Sequence, residues 1–396
     1  MAVQTSKTDV VIVGGGIGGV ASALALTHAG LRVRVLEQAA EFGEIGFGLQ
    51  LAPNATRILR SWGLLGEVVE QGVLPGRLVM RDALDGTDLT YLDLAATERR
   101  YGAPYVVIYR SDLHAILVRA CDAAGVDLVT DTTVTDVEIG DHDAVAVSAV
   151  RRDAAALVLA ADGLKSLLRA RVHRDEPVSS AYVAYRGAVP MADVGGVGGD
   201  PRIAAEDVVV YVGPHCHLVQ YPLRHGEMFN QIAVFRSPKA LAGELDWGTP
   251  DELDAAFAQT CEAVRAGLPH LSRERWWRMY DREPIGTWTR GRLALTGDAA
   301  HPVLQYLAQG ACQAIEDADS LATLVGKHSG ADGPDWDGAL ADYTELRTAR
   351  TARVQRTARS WGELWHCDGL FRTVRNALLT DRDPADYQHI DWLYGG

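Results

Sequence analysis

The stretch Val10-Val11-Ile12-Val13-Gly14-Gly15-Gly16-Ile17-Gly18-Gly19 lies close to the start of this 396-residue chain. Its four consecutive apolar residues predict a strand that is buried on both faces, as in a parallel sheet. Gly14, Gly16 and Gly19 follow in the spacing G-x-G-x-x-G, and an Ala- and Leu-rich run predicts a helix over residues 20–28. In such a turn the first glycine permits a sharp bend, the second lets the backbone approach a pyrophosphate, and the third lets helix and strand pack closely. The sequence therefore predicts a dinucleotide-binding βαβ unit.

The next predicted strand, residues 32–37, ends in a carboxylate. Glu37 lies about twenty residues beyond the glycines, where an acidic side chain accepts hydrogen bonds from ribose hydroxyls. The neighbouring Gln38, and Ile17 within the glycine turn, are assigned to the same candidate site. This motif alone does not separate FAD from a nicotinamide dinucleotide, so a nicotinamide-dependent dehydrogenase stays open at this step.

The rest of the chain changes character twice. Asp85-Gly86 predicts a hairpin between residues 78 and 94, and residues 208–212, 216–221 and 231–235 resemble strands of an antiparallel sheet. Residues 292–296 predict one more buried strand, and the pattern from residue 311 onward is mainly helical. We therefore predict an α/β (α+β) chain with a discontinuous Rossmann-like nucleotide domain (1–178 and 281–325), an inserted antiparallel β-sheet substrate domain (179–280, with a β excursion near 76–100) and a C-terminal helical region (326–396).

The charge and the cysteine content argue against several classes of protein. A net charge of −14 is unlike a nucleic-acid-binding surface, which needs a cationic footprint. The five cysteines are scattered, with no metal-ligand or C-x-x-C spacing, so we predict no metal site and free thiols in a reducing cytoplasm. No apolar run reaches membrane-spanning length, and no signal peptide is recognised. The expectation is a cytoplasmic enzyme with no nucleic-acid partner and no transmembrane segment.

A second candidate segment lies far downstream of the glycine turn. Thr296-Gly297-Asp298 follows a predicted buried strand, and an aspartate at a strand end can accept hydrogen bonds from a sugar or ribityl chain. The segment that starts at Gly310-Ala311 predicts a helix, whose N-terminus offers unpaired amides and a positive dipole end. A reduced flavin carries negative charge on its pyrimidine side, which such a helix end stabilises. Two half-sites far apart in the sequence thus suggest a flavin held at both ends.

These segments resemble the FAD-dependent aromatic hydroxylases, the single-component flavoprotein monooxygenases of the p-hydroxybenzoate hydroxylase type. The resemblance rests on three ordered fingerprints: the glycine turn with Glu37, the D-G-x-x-S-x-x-R pattern at residues 162–169, and Gly297-Asp298 through Gly310. It implies FAD as the cofactor, NADH or NADPH as the co-substrate and O₂ as the oxidant. It also assigns FAD contacts to Arg110 (pyrophosphate), Asp162 (a structural and cofactor role), Asp298 (ribityl chain), Pro302 (isoalloxazine ring), and Gly310 and Ala311 (amides at the pyrimidine edge).

One residue departs from the usual family pattern. Most relatives place a proline where Gln305 stands, and Gln305 instead offers an amide donor and acceptor beside the flavin. This departure, together with residues 210–223 and 276–284, resembles the 3-hydroxybenzoate 6-hydroxylase (gentisate-forming) subgroup. Salicylate 1-hydroxylases share most of the scaffold, including a tail like residues 361–366.

The implied chemistry requires a base at the substrate. In the family, reduced FAD and O₂ form a C4a-hydroperoxide and the phenol reacts best as a phenolate, so a base with a pKa near the working pH is favoured. On a strand of period two, His217 and Tyr221 share one face with His215 and Val219. We predict that His217 deprotonates the phenol, that Gln305 positions the ring oxygen and that Tyr221 completes the pocket. Without the family resemblance, a satisfied core histidine and a packing tyrosine would be favoured.

The predicted reaction is the para-hydroxylation of a small phenolic aromatic acid, 3-hydroxybenzoate, to gentisate. Three alternatives stay open: a decarboxylating salicylate 1-hydroxylase that forms catechol, a non-hydroxylating FAD oxidoreductase, and a flavin-binding redox sensor. A homodimer is also left open. Arginines recur every third residue from Arg347 to Arg359. The simpler interpretation is a helix that pairs with carboxylates, and the other is a cleft for an anionic lipid, a nicotinamide phosphate or a dimer partner.

Overall fold

The computed structural model describes residues 8–43, 46–194, 206–331 and 333–395. Its strands, in chain order, are β1 (Val10–Val13), β2 (Val33–Leu36), β3 (Gly48–Leu51), β4 (Arg77–Asp82), β5 (Asp88–Asp93), β6 (Val106–Tyr109), β7 (Asp127–Val129), β8 (Val134–Ile139), β9 (Ala144–Ser148), β10 (Arg152–Ala155), β11 (Leu157–Ala160), β12 (Val178–Pro190), β13 (Asp207–Gly213), β14 (Cys216–Leu223), β15 (Met228–Arg236), β16 (Trp276–Asp281), β17 (Thr289–Arg290), β18 (Leu293–Leu295), β19 (Ser329–Gly330) and β20 (Gly333–Pro334). Its α-helices are α1 (Ile17–His28), α2 (Pro53–Ser61), α3 (Leu65–Gln71), α4 (Leu94–Tyr101), α5 (Arg110–Ala123), α6 (Arg169–Val172), α7 (Pro238–Leu241), α8 (Pro250–Phe257), α9 (Glu262–Gly267), α10 (Gly310–Lys327), α11 (Trp336–Trp365), α12 (Gly369–Thr380) and α13 (Asp391–Tyr394).

The glycine turn lies at the end of a central strand in a six-stranded sheet. The strand order is β17-β18-β11-β1-β2-β7, and neighbouring strands run parallel except β17 and β18. β1 is buried along its whole length, as a central parallel strand should be, and α1 packs against α5 and α10. Because parallel strands end at the same edge of a sheet, the residues that follow β1, β2, β11 and β18 meet there. The two half-sites predicted from distant parts of the sequence therefore share one edge.

A second sheet of seven strands has the order β16-β12-β15-β14-β13-β4-β5. Its neighbouring strands are antiparallel except β13 and β4, which pair in parallel from Asp207–Arg77 to Val212–Asp82. The predicted antiparallel pairing of residues 208–212, 216–221 and 231–235 is confirmed, and the parallel pair joins these strands to the β excursion near residues 76–100, whose pairing was not predicted. The β4–β5 hairpin was correctly located, but it joins the edge of the sheet through a connection of more than a hundred residues. Local sequence patterns do not specify the direction of such a pairing.

The two faces of this second sheet belong to different hydrophobic cores. Val210, Val219 and Ile232 face the large core that also contains the six-stranded sheet. The alternate residues of the same strands face a smaller core, which is closed by the helices α8 and α9. The sheet is thus buried on both sides, and only its first face lies toward the nucleotide half of the molecule. The proposed division into domains remains a prediction.

Two short helices interrupt the region that was predicted to be β-rich. α8 begins with a capping box, in which Thr249 and Glu252 exchange hydrogen bonds with the backbone, and Pro250 occupies its first turn. α9 follows it closely. Their apolar residues, Leu253, Phe257 and Val264, pack under the sheet. The capping signal was present in the sequence, and these helices could have been predicted from it.

The arginines of the long helix α11 do not line a common cleft. Arg347 binds Asp317 and Glu316, Arg350 binds Glu316, and Arg359 binds Asp281 and Glu283. The guanidinium of Arg353 lies 4.0 Å from the centre of the Trp392 ring, and Arg356 is exposed. The interpretation as one cationic binding cleft is therefore wrong, because most of these charges are neutralised one by one.

No helix among the described residues is both long and apolar enough to cross a membrane.

Candidate active site

A cavity of about 560 Å³ lies at the edge where the parallel strands end. The cavity lies at the carboxyl ends of β1, β2, β11 and β18, as the parallel arrangement of these strands requires. Ten of the predicted cofactor residues line it: Gly14, Gly16, Ile17, Glu37, Gln38, Arg110, Asp162, Asp298, Gly310 and Ala311. Gly19 and Pro302 do not line it.

The glycine turn is built without room for side chains. Gly14 has φ +104°, and a Cβ there would collide with the carbonyl of Ala161. A Cβ at Gly19 would collide with the carbonyl oxygen of Gly14, so this residue serves the close packing of α1 on β1. Glu37 Oε2 accepts a hydrogen bond of 2.6 Å from the amide of Gly15, and Oε1 accepts one of 2.8 Å from Ala39. The carboxylate therefore lies directly beside the turn.

In the D-G-x-x-S-x-x-R segment, Asp162 lines the cavity and Arg169 lies behind the cavity wall. Asp162 Oδ2 accepts hydrogen bonds from the amides of Leu167 and Leu168, whereas Oδ1 is buried and has no partner among the described residues. Burial raises the pKa of Asp162. Arg169 does not pair with Asp162. It binds Asp175 and donates to the carbonyls of residues 299 and 300, which fixes the turn that carries Asp298.

The second half-site rests on a buried polar cluster. Asp298 is exposed toward the cavity, and Gly297 before it has φ +56° and donates its amide to Asp317 Oδ2 at 2.9 Å. His301 Nε2 lies 2.5 Å from the same oxygen, and Arg347 binds the other one at 2.7 Å. Burial alone would raise the pKa of Asp317, but these two neighbours lower it to about 2. His301 is thus part of the support of the turn.

The N-terminus of α10 faces the cavity through Gly310 and Ala311. This helix is 18 residues long, so its free amides and dipole offer a site for negative charge. Pro302, which was expected at the flavin ring, is buried, and its carbonyl accepts a hydrogen bond of 3.0 Å from Gln355. The cavity therefore extends from the carboxylate of Glu37 to the amides of α10. It suits a molecule with a ribose at one end and an electron-accepting ring at the other.

Beyond this cavity, one face of the seven-stranded sheet carries polar side chains in an apolar surrounding. Cross-strand pairs place Arg186 opposite Ile232, and His217 opposite Val234. Tyr221 lies opposite Asn230. Directly opposed residues point to the same side of a sheet, so all these side chains face the large core. The predicted sharing of one face by His217 and Tyr221 agrees with this register.

His217 is fully buried and has one free nitrogen. Its Nδ1 lies 2.8 Å from Nε2 of His366, and its Nε2 has no partner among the described residues. Burial lowers the pKa of His217 to about 3. The rings of Tyr306, Trp365 and His366 surround it. The imidazole is therefore uncharged at neutral pH, and its Nε2 is a buried polar atom without a hydrogen-bond partner among the described residues.

Tyr221 and Gln305 lie on the same side of the sheet as His217. Tyr221 is buried against Gly48, where a side chain would collide with its ring, and the amide of Gly48 donates to Asn230 Oδ1 at 2.9 Å. Asn230 Nδ2 is buried without a partner among the described residues. Gln305 is partly buried in a 3₁₀ turn, and its Oε1 accepts a hydrogen bond of 3.1 Å from Arg186.

The model of the FAD binding domain family matches residues 7–358 of the chain. The chain is 37% identical to the 3-hydroxybenzoate 6-hydroxylase of Polaromonas naphthalenivorans (strain CJ2), with 100% of the chain and 98% of that protein aligned. It is 38% identical to the 3-hydroxybenzoate 6-hydroxylase of Klebsiella oxytoca, with 97% and 96% aligned. The chain belongs to the FAD-dependent aromatic hydroxylases. A crystal structure of Klebsiella pneumoniae HpxO with FAD and uric acid superimposes on the hydroxylase with a TM-score of 0.82 at 22% identity. The superposition covers 96% of this chain and 94% of that one, which shows that the two proteins share a fold.

FAD is accordingly the cofactor of the hydroxylase, and the cavity at the strand ends fits it. The glycine turn leaves space for a pyrophosphate, and Arg110 lines the same cavity with a positive charge. Asp162 presents a buried oxygen without a partner, and Asp298 presents an exposed carboxylate at a strand end. The individual contacts of these residues with FAD remain predictions.

Three polar residues of the hydroxylase were not found from its sequence. Arg186 and Asn230 lie on strands whose partners could not be assigned, and His366 follows the end of α11. A weak signal existed for Arg186, because a lone charge interrupts the apolar strand Tyr182-Val183-Ala184-Tyr185 at its end. For His366, nothing in the sequence indicates contact with His217, which lies 149 positions earlier.

Proposed function

We propose that the hydroxylase converts 3-hydroxybenzoate to gentisate with NADH or NADPH and O₂. Relatives of that name match essentially the whole chain at 37–38% identity. The observation that carries the proposal is the free Nε2 of His217, a buried proton acceptor without a partner among the described residues.

In this proposal the glycine turn, Glu37 and Arg110 hold the dinucleotide half of FAD. Asp298 binds the ribityl chain, and the amides of Gly310 and Ala311 hold the pyrimidine edge of the ring. When bound and reduced, FAD would supply the electrons that activate O₂, and one oxygen atom of O₂ would enter the aromatic ring. Pro302 supports this segment from behind, since it does not line the cavity. These assignments follow the family resemblance and the placement of the residues.

The protein's own contribution to the chemistry is the handling of the phenol proton. In this proposal His217 is the tautomer with its proton on Nδ1, which faces Nε2 of His366 at 2.8 Å, and this tautomer leaves Nε2 of His217 as an acceptor for the phenol hydroxyl. Burial lowers the pKa of His217 to about 3, well below the working pH that the sequence argument favours for a base, so His217 accepts the phenol proton only if the phenolate formed beside it stabilises the imidazolium. The two opposite charges would then arise together beside a fully buried imidazole. In this proposal Tyr221 completes the substrate pocket, and Asn230 lies directly opposite it on the neighbouring strand.

The test is an assay of NADH and NADPH oxidation with 3-hydroxybenzoate, 4-hydroxybenzoate and salicylate, with oxygen uptake and product identification. We expect gentisate from 3-hydroxybenzoate in a one-to-one ratio to the nicotinamide consumed. Catechol from salicylate as the main product would replace the proposal by a decarboxylating hydroxylation. Nicotinamide oxidation that yields only hydrogen peroxide with every acid would overturn it.

Two further proposals concern the setting of the enzyme. The cysteines of the described chain form no disulfide, which supports a cytoplasmic location. A homodimer is proposed from the class of enzyme alone, and sedimentation velocity of the FAD-loaded protein tests it. A single species at the mass of one chain would exclude the dimer.

A further inference from the structure

The helix α12 has its polar and apolar faces in the reverse of the usual arrangement. A surface helix normally turns its apolar face to the core and its charged face to water. In α12 the side chains that point toward the sheet are Arg372, Arg375 and Asn376, and all three bind the carboxylate of Asp82 at the end of β4. Asp82 and Arg375 are almost completely buried. The charges of this helix are therefore used on its inner side.

The outer face of α12 is apolar and exposed to solvent. Leu370, Phe371, Val374 and Leu378 form one stripe along it, because residues three or four positions apart are neighbours on a helix. Their exposed fractions are 76%, 77%, 47% and 68%, so the described part of the chain does not cover the stripe. Large apolar side chains that lie singly on a surface need no explanation, but a contiguous group of them indicates an interaction surface.

The absence of charge on this face fits a second copy of the same chain. In α12, all of which is described, every exposed side chain is uncharged, although 23% of the residues of the protein are charged. A two-fold axis brings a surface against its own copy, so a charged face would meet like charges there. A lipid surface is disfavoured, because an interfacial helix needs a free basic face to meet anionic headgroups, whereas both arginines of α12 bind Asp82.

The size of the stripe indicates a reversible dimer. Full burial of one apolar side chain of this kind removes roughly 60–120 Å² from water, so two copies of the stripe would bury on the order of 500–1,000 Å². Stable interfaces between proteins begin at about 1,200 Å² in total. The stripe therefore supplies most of a small interface, and the surface that flanks α12 has to supply the rest.

We propose that two copies of the hydroxylase associate through their α12 helices, which run antiparallel across a two-fold axis. The proposal rests on the homodimer proposed above and names its interface. The antiparallel orientation places the positive end of each helix dipole beside the negative end of the other. The stripe extends from Leu370 to Leu378, so its midpoint is Val374. Val374 then faces its own equivalent, and Leu370 faces Leu378 of the partner subunit.

The inner face of the same helix supports the candidate active site. Arg375 donates a hydrogen bond of 2.7 Å to the carbonyl oxygen of Trp365, the last residue of α11. Trp365 and the next residue, His366, both contact the ring of His217. A partner that holds α12 in place would also steady this wall of the site. The thermal midpoint should therefore rise with protein concentration, as it does for a protein that is stabilised by association.

The first test places a charge on the stripe. Phe371→Glu should raise the dissociation constant of the dimer by more than about tenfold, since it removes an aromatic contact and brings like charges together. The measurement is sedimentation velocity of the FAD-loaded enzyme over a dilution series. Leu245→Glu is the matched control, because Leu245 is 91% exposed in the loop between α7 and α8 and should leave the dimer intact. FAD content shows that each variant is folded.

The outcomes separate the proposals. If the wild-type enzyme is a dimer and Phe371→Glu associates equally well, the interface through α12 fails and the homodimer stands. If the wild-type enzyme has the mass of one chain at every concentration, both fail. Neither result depends on the reaction, which the product assay with 3-hydroxybenzoate tests separately.

The second test determines the orientation of the helices, with oxidised glutathione as the oxidant and cross-linked dimer as the readout. Val374→Cys should form a disulfide with its own equivalent, since paired cysteines have Cα atoms about 4.4–6.8 Å apart. Leu370→Cys should not, because its two copies are offset along the helix by about 12 Å, but it should cross-link to Leu378→Cys. Both partly exposed native cysteines, Cys261 and Cys367, are serine in these variants. Self-cross-linking of both Val374→Cys and Leu370→Cys, or of neither, would overturn the antiparallel pair.

Discussion

At the scale of single residues, His217 should decide whether the phenol is activated. His217→Ala removes the proton acceptor, so we expect hydroxylation to slow by about 100-fold or more, in line with general-base catalysis, while FAD stays bound. The measurement is gentisate formed per NADH oxidised at saturating substrate. His215→Asn is the control, because His215 sits in a turn with φ +58°, a conformation that asparagine tolerates, and should keep nearly full activity. Unchanged coupled hydroxylation in His217→Ala would disprove the base assignment.

The same histidine should make the stability of the protein sensitive to acid. Its pKa is about 3 in the folded protein and near 6.5 in the unfolded chain, so between these values the unfolded chain binds more protons. The stability that the neutral His217 contributes is therefore complete above about pH 6.5 and is lost progressively as the pH falls toward 3. Calorimetry at pH 7 and pH 5 should show a smaller fall in the thermal midpoint for His217→Gln than for the wild type. Equal falls in the thermal midpoint would mean that His217 does not reduce the stability of the folded protein at acid pH.

The residues of the candidate site also show which features could be predicted from the sequence and which could not. His217, Tyr221 and Gln305 were selected by strand period and family resemblance, and they lie on one side of the sheet. Arg186 was missed because its significance comes from the pairing of β12 with β15 and from a contact with a turn 119 positions later. Both are properties of tertiary structure, which single-sequence patterns do not contain.

At the scale of elements, the link between α10 and α11 should control cofactor retention. Arg347 is buried and binds Asp317, which in turn holds the amide of Gly297 beside the candidate ribityl site. Arg347→Met leaves two buried carboxylates poorly paired, and we expect a loss of about 3–5 kcal/mol in stability together with faster release of FAD. Arg356→Met on the same helix is the control, since this exposed arginine should change stability by less than about 0.5 kcal/mol. Flavin fluorescence during thermal unfolding reports both effects.

The predicted elements succeeded where the signal was local. The β1–α1–β2 unit and the β4–β5 hairpin follow from apolar period, glycine spacing and turn chemistry, which act over a few residues. The pairing of β3 with β6 was not predicted, because Gly48–Leu51 and Val106–Tyr109 are short and far apart in the chain. That pair places Gly48 against Tyr221, so a part of the candidate substrate pocket depends on it.

At the scale of the whole molecule, bound FAD should stabilise the folded state. The cavity joins the ends of four strands and the start of α10, so a ligand that fills it stabilises the folded state by mass action. Removal of FAD should lower the thermal midpoint, and added FAD should restore it. FMN at the same concentration should not, because it lacks the adenosine half that the glycine turn and Glu37 are expected to hold. Full restoration by FMN would show that the turn contributes little to binding.

The distance in the chain between Gly14 and Gly310 has a consequence for biosynthesis. Both glycines line one cavity, yet about 300 residues separate them, and synthesis of that length takes roughly 15 to 60 s at common translation rates. While the chain is still on the ribosome, its glycine turn exists without the helix that closes the other end of the site. The complete flavin cavity therefore exists only after α10 has emerged from the ribosome.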